Sequence, residues 1–170
     1  MNGNATLNLA LNLDAQGNAN AVFLIQIEGT LSTNALSQVN LVNGAKACNV
    51  FWKVEGLVSM ASGTAMRGTV IVNNAAIIMG TGTTLEGRAL STTGAISVSG
   101  VTAKVPVGCG SPVLTGPSAP GLASVACYAL FSGNGAVTNS GITNVTGDVG
   151  TNVGLAVGYN PLTVMSCGRP

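Results

Sequence analysis

The stretch GTAMRGTVIVNNAAIIMGTGTTLEGRALSTTGAISV, Gly63 to Val98, writes one pattern of apolar and polar positions twice. Displaced by 19 residues, Met66 falls on Leu85, Val70 on Ala89, Ile71 on Leu90, Ile77 on Ile96 and Met79 on Val98. Gly63 and Gly68 fall on Gly82 and Gly87, and Asn73 and Asn74 on Thr92 and Thr93. One step back, Gly68 to Ile71 lies over Asn49 to Trp52, and Ala75, Ala76, Ile77 and Met79 lie over Gly56, Leu57, Val58 and Met60. NAVFLIQIEGTLS resembles CNVFWKVEGLVS with one extra residue, so Ala21–Ser32 reads as an earlier copy. Weaker copies follow at Ala129–Val137 and Thr146–Val157.

Nineteen residues suffice for one coil of three short strands with turns at Gly and Asn. A unit this small cannot enclose a core and must stack on its neighbours. The expected inner column is Val58/Ile77/Ile96, with Gly56/Ala75/Gly94 at tight corners. Asn73/Thr92, Asn74/Thr93 and Ser62/Thr81 would form polar ladders. Trp52, in the column of Ile71 and Leu90, reads as core. No segment shows a capped 3.6-residue period, so little or no helix is expected. The competing architecture, an antiparallel β-sandwich, does not account for equivalent apolar positions in three successive copies. Residues 1–103 read as the main coils, 104–126 as a Pro/Gly-rich linker and 127–170 as additional coils.

Composition narrows the function. Only 6% of the 170 residues are charged, against the usual quarter, and histidine is absent. Net charge is +1, which disfavours nucleic acid, and a 46% hydrophobic content disfavours disorder. No run of 18 apolar residues exists, so no membrane span is expected. The N-terminal MNGNATLNLALNLDAQG lacks a basic region and does not read as a signal peptide. Without histidine no Ser-His-Asp or Cys-His arrangement is possible. The acids Asp14, Glu28, Glu55, Glu86 and Asp148 do not pair: Glu55 aligns with Asn74, and Glu86 falls at a turn. Arg67 and Arg88 fall in unrelated columns. No enzyme, cofactor or metal site is expected. Cys48, Cys109, Cys127 and Cys167 lack metal-ligand spacing. Cys109 and Cys127 bracket a Pro/Gly/Ser segment and read as a structural disulfide of an exported protein, or as free buried thiols.

Four segments in order, LDAQGNANAVFLIQI (Leu13–Ile27), NGAKACNVFWKVEG (Asn43–Gly56), RGTVIVNNAAI (Arg67–Ile77) and GRALSTTGAIS (Gly87–Ser97), resemble the ice-binding protein family. The resemblance covers about Leu7 to Gly110 and Tyr128 to Val157. It implies an all-β, right-handed β-helix, a β-solenoid of triangular cross-section. In the family, the segment similar to Tyr128–Asn152 comes first and a long helix follows it; here that segment comes last and no helix is seen. The segment would dock beside Ser91–Val101 of its own solenoid or complete a neighbour's. Loss of the helix would leave one apolar face uncovered, awaiting a partner chain.

TGTT (Thr81–Thr84) matches the family's T-A/G-X-T/N motif, and SGTA (Ser62–Ala65) is its weaker equivalent. The resemblance therefore implies an extracellular protein adsorbing to ice through a flat Ser/Thr/Asn face. The candidate contacts are Ser62, Thr64, Thr81, Thr83, Thr84, Thr92 and Thr93. Tyrosine at Thr83 or Thr92 would then abolish activity without unfolding. The alternative is a structural module of a surface adhesin or self-assembling fibre, with copies of itself as partner.

Overall fold

The computed structural model describes residues 1–107 and 125–159 and the strand Val164–Met165. The chain winds as stacked coils. The first runs through Ala5–Leu7 (β1), Ala10–Asp14 (β2) and Phe23–Ile27 (β3). The second runs through Leu31–Thr33 (β4), Gln38–Val42 (β5) and, after a 3-10 turn at Ala47–Asn49, Val50–Val54 (β6). The third and fourth are more compact: Val58–Met60 (β7) with Ala65–Val72 (β8), then Ile77–Met79 (β9) with Thr84–Ser91 (β10). The fifth holds Ile96–Ser99 (β11), Thr102–Lys104 (β12) and Tyr128–Ser132 (β13). The sixth holds Val137–Ser140 (β14), Asn144–Thr146 (β15) and Asp148–Thr151 (β16). Ala156–Val157 (β17) and Val164–Met165 (β18) continue the stack.

Every strand pairing among the described residues is parallel, and the stack has three faces. Face A is a seven-stranded sheet in the order β1-β4-β7-β9-β11-β14-β17. Face B joins β2, β5, the first half of β8, the first half of β10, β12, β15 and β18. Face C joins β3, β6, the second halves of β8 and β10, β13 and β16. The all-β solenoid expected from the repeat, with the triangular section that the family resemblance implies, is therefore what the chain forms.

β8 and β10 pass from face B to face C without a break, turning at Gly68 and Gly87. Gly68 has φ +104°, and a Cβ there would stand 2.6 Å from the Val50 carbonyl oxygen. A Cβ on Gly87 would overlap the Gly68 carbonyl oxygen. Backbone rests on backbone at this edge, so no side chain fits between the coils.

The interior is a set of apolar columns. Leu31, Val58, Ile77, Ile96 and Val137 stack behind face A, each 3% exposed or less. Met66, Leu85, Ala103 and Val145 do so behind face B. Trp52, Val70, Ala89 and Leu130 stack behind face C, a large ring followed by smaller groups. Each fully buried aliphatic side chain stabilises the stack by about 1.5–3 kcal/mol. Trp52 is core, as expected, and its Nε1 donates to the Arg67 carbonyl at 2.9 Å.

The 19-residue register holds from β8 to β10 and from β7 to β9. Between β6 and β8 it slips by one: Trp52 pairs with Val70, not Ile71, and Phe51 with Thr69. The following turn absorbs the difference. Val72 and Ile77 are separated by one residue more than Val54 and Val58, and Asn74 sits there at φ 54°. Glu55 consequently meets Asn73 rather than Asn74, accepting from its Nδ2 at 2.7 Å. The earlier copy needs no extra residue, since Phe23 pairs with Val50 and Leu31 with Val58 at one constant offset.

The C-terminal segment docks on its own solenoid. Leu130–Ser132 pair with Ala89–Ser91, and Val137–Ser140 with Ile96–Ser99. Lys104 belongs to β12, where it pairs with Thr146. The expected bare apolar face is not left bare. Phe51 and Leu90, on the outer side of face C, are buried within the single chain. Arg88 donates from Nε to the Ala126 carbonyl at 2.8 Å, and burial lowers its pKa below the ordinary arginine value. Leu24, in the first coil of this face, is exposed. Cys48 and Cys127 are both disulfide-bonded, which removes the free-thiol alternative for them. Cys109, the expected partner of Cys127, lies outside the described residues.

Candidate functional site

The faces differ in what they offer a partner. On face A each of the first six strands has one outward position between two inward ones, and Val157 of β17 continues the row. In order these are Thr6, Ser32, Ser59, Ile78, Ser97, Thr138 and Val157. None is charged. At the usual strand spacing of about 4.8 Å the row is about 29 Å long. Short side chains keep it low, and neighbours hold one another. Thr6 Oγ1 and Ser32 Oγ share a hydrogen bond at 2.9 Å, and Thr138 Oγ1 donates to Ser97 Oγ at 3.2 Å. Asn34 Nδ2 donates to Asn8 Oδ1 at 2.8 Å beside the row.

Two corners flank this face. Where face C turns into face A, Thr93 Oγ1 donates to Asn74 Oδ1 at 3.0 Å and Thr92 Oγ1 to Asn73 Oδ1 at 3.3 Å. The ladder ends at Glu55 and Lys53, whose ion pair is 2.6 Å long. The hydrogen bond from Lys53, with that from Asn73, lowers the Glu55 pKa below the usual carboxylate value. Where face A turns into face B, Thr81 Oγ1 lies 3.4 Å from Ser99 Oγ and Ser62 is exposed.

The seven residues expected as contacts do not share one plane. Thr92 and Thr93 are exposed on one edge of face A, Ser62 and Thr81 on the other, and Thr84 on face B. Thr64 and Thr83 are a correction: both are fully buried. They belong to an internal set of corner hydroxyls with Ser37 and Thr143. Thr64 Oγ1 donates to the Ala61 carbonyl at 2.7 Å and accepts from Thr33 Oγ1 at 2.7 Å. The Ala61 amide in turn donates to Thr33 Oγ1 at 2.9 Å. Ser37 Oγ donates to the Leu7 carbonyl at 2.8 Å, and Thr143 Oγ1 accepts from the Val101 amide at 3.1 Å. These hydroxyls satisfy corner backbone groups that water cannot reach. Tyrosine at Thr83 would therefore unfold the chain rather than test a surface. Thr64→Val keeps the shape and leaves Thr33 without its acceptor. The expected cost is about 1–3 kcal/mol, read from the urea midpoint, with an unchanged midpoint refuting this role of the corner hydroxyl.

The row on face A went unread in the sequence, although a signal for it exists. Leu-Ser-Thr, Val-Ser-Met, Ile-Ser-Val and Val-Thr-Asn each place a hydroxyl between two inward residues.

Face B has two outward columns. Ala10, Gln38, Ala65, Thr84, Thr102 and Asn144 are uncharged. Asn12, Asn40, Arg67, Glu86, Lys104 and Thr146 include three successive charges. Glu86, expected at a turn, lies within β10. Among the described residues no group of three or more His, Cys, Asp or Glu could hold a metal ion. No helix there is long and apolar enough to cross a membrane.

Residues 1–104 match the family model described as ice-binding-like. An ice-binding protein of Colwellia sp is 31% identical over 87 residues, which is 51% of this chain and 34% of that protein. An ice-binding protein of Flavobacterium frigoris (strain PS1) is 28% identical over 89 residues, or 52% of this chain and 32% of that one. The chain thus spans about a third of the length of these curated relatives. The crystal structure of an ice binding protein from an Antarctic bacterium, Flavobacteriaceae, superposes with a TM-score of 0.63 at 61% identity. It covers 95% of this chain and 38% of that one. With the model matching more than half its length and the parallel solenoid in place, the chain belongs to the ice-binding-like family.

Proposed function

We propose that the chain binds ice outside the cell and that face A is the surface that adsorbs. The observation that carries this is the uncharged row from Thr6 to Thr138, a Ser or Thr on every strand but that of Ile78, held in register by parallel pairing. Ice is a flat lattice without charge. A rigid sheet of hydroxyls and methyls can order water on that lattice, whereas an ion would orient water radially and keep its own shell. Thr92 and Thr93 on one edge and Ser62 and Thr81 on the other widen the surface. Adsorption then blocks growth and recrystallisation. The reading assigns no catalytic step. Disulfide-bonded Cys48 and Cys127 support an oxidising, extracellular setting.

The test is a recrystallisation assay together with partition into a slowly growing ice front. The chain is expected to enter the ice and hold grain size constant. Exclusion from the front, with grains coarsening as in buffer, would refute the proposal. The alternative of completion by a neighbouring chain has no observation in its favour, since β13 to β16 pair within their own solenoid.

A further inference from the structure

Face B is built almost as face A is, yet it differs in one respect. Its column nearest face A, with Thr84 and Thr102 exposed and paired in register, carries no charge. In its second column Asn12, Asn40 and Thr146 would suit the same surface, but three successive coils place Arg67, Glu86 and Lys104 there. Arg67 Nε lies 3.3 Å and Lys104 Nζ 3.7 Å from the same Glu86 Oε2. Asp14, the remaining charge of this face, sits at the far end of β2, beyond both columns. The three long side chains also spoil the plane. With Thr84, Leu85 and Thr102 they bound a groove of about 280 Å³.

Stability does not explain the whole ladder. The Lys104 side chain is 56% exposed, so its pair with Glu86 is screened by water and contributes little. Nor does Trp52 need the Arg67 side chain, because it bonds the backbone carbonyl.

We propose that Arg67, Glu86 and Lys104 are specificity residues that bar face B from ice and confine adsorption to face A. This rests on the reading of face A as the ice-binding surface. Three fixed charges hold hydration shells that no ice plane reproduces, and the groove between their stems breaks the contact. It is discrimination by an unfavourable element rather than by an added attraction.

The experiment restores what the charges remove. In a Ser59→Tyr background, where face A is blocked, R67T/E86T/K104T converts the second column of face B to hydroxyls. Labelled protein is then imaged on a single-crystal ice hemisphere. Ser59→Tyr alone is expected to leave the ice dark. The combined variant is expected to bind again, by about tenfold over that background, on a plane other than the wild-type one. A folded combined variant that leaves the ice dark would overturn the inference and leave face A standing. Ser59→Tyr protein that still lights the wild-type plane would overturn face A and this inference with it. Should the threonines unfold the chain, R67Q/E86Q/K104Q in the same background carries the same prediction. R67K/E86D/K104R, which keeps the charges, must not rescue.

Discussion

Tyrosine at Ser59 is expected to abolish ice adsorption while the solenoid keeps its fold. Ser59 lies in the middle of the row on face A, between Ser32 and Ile78. Its neighbours on either side in the chain, Val58 and Met60, point inward and are buried, so the backbone under the new ring is anchored. The serine is partly exposed and the ring would extend into solvent, so the packed interior is untouched. The surface is another matter. A rigid plane meets a rigid lattice at all its positions together, so one ring standing above the row lifts its neighbours off the ice. The concentration needed to halt recrystallisation should rise by more than about tenfold, equivalent to at least about 1.4 kcal/mol of lost adsorption. The matched control is Thr84→Tyr on face B, which should leave the end-point unchanged. Equal losses from the two variants would mean that face A is not the contact.

The largest effect on stability is expected at Gly87. Alanine there directs a methyl group into the Gly68 carbonyl oxygen, with the Gly68 carbonyl carbon at 2.5 Å and its amide nitrogen at 3.0 Å. No flexible side chain is available to give way, since the obstacle is the corner of the coil below. Separating the two corners breaks the run of parallel pairs from Thr84 to Ser91 on both faces that β10 serves. A cost above about 3 kcal/mol is expected, enough to leave much of the chain unfolded at ambient temperature. Gly82→Ala is the comparison. Its new methyl would meet nothing closer than 3.8 Å, and the cost is that of a left-handed φ of 74°, about 1–2 kcal/mol. Circular dichroism through a urea series separates the two. Similar midpoints for both variants would show that the Gly87 corner yields more than its geometry implies.

The solenoid was legible because its two most compact coils repeat without a slip. Gly63 to Val98 carries apolar, small and polar columns at a fixed interval, and the pairs Met66/Leu85, Val70/Ala89 and Ile77/Ile96 follow directly. One residue in a turn was enough to defeat the same reasoning nearby. Nothing in the letters Asn-Asn says that Asn74 takes the left-handed conformation and absorbs the offset. The candidate site was less legible for a related reason. Thr64 and Thr83 are spelled like surface threonines, yet the turns at Gly63 and Gly82, with φ of 71° and 74°, aim them inward. Which side of a corner a hydroxyl faces depends on dihedral angles there. The row on face A had the opposite fault. It offers one hydroxyl per strand, broken by Ile78 and spread over unequal intervals, so no short motif announces it.

The separation in sequence of β12 and β13, which share the fifth coil, bears on how the chain is made. The ribosome delivers the N-terminal coils first. The first four can zip together as they emerge, each new rung templated by the one before. At the fifth the zipper stops halfway. β11 and β12 can settle on β9 and β10, but Ala89–Ser91 has no upper neighbour until Leu130–Ser132 has been synthesised. Synthesis therefore leaves an unpaired edge on face C through a defined interval of translation.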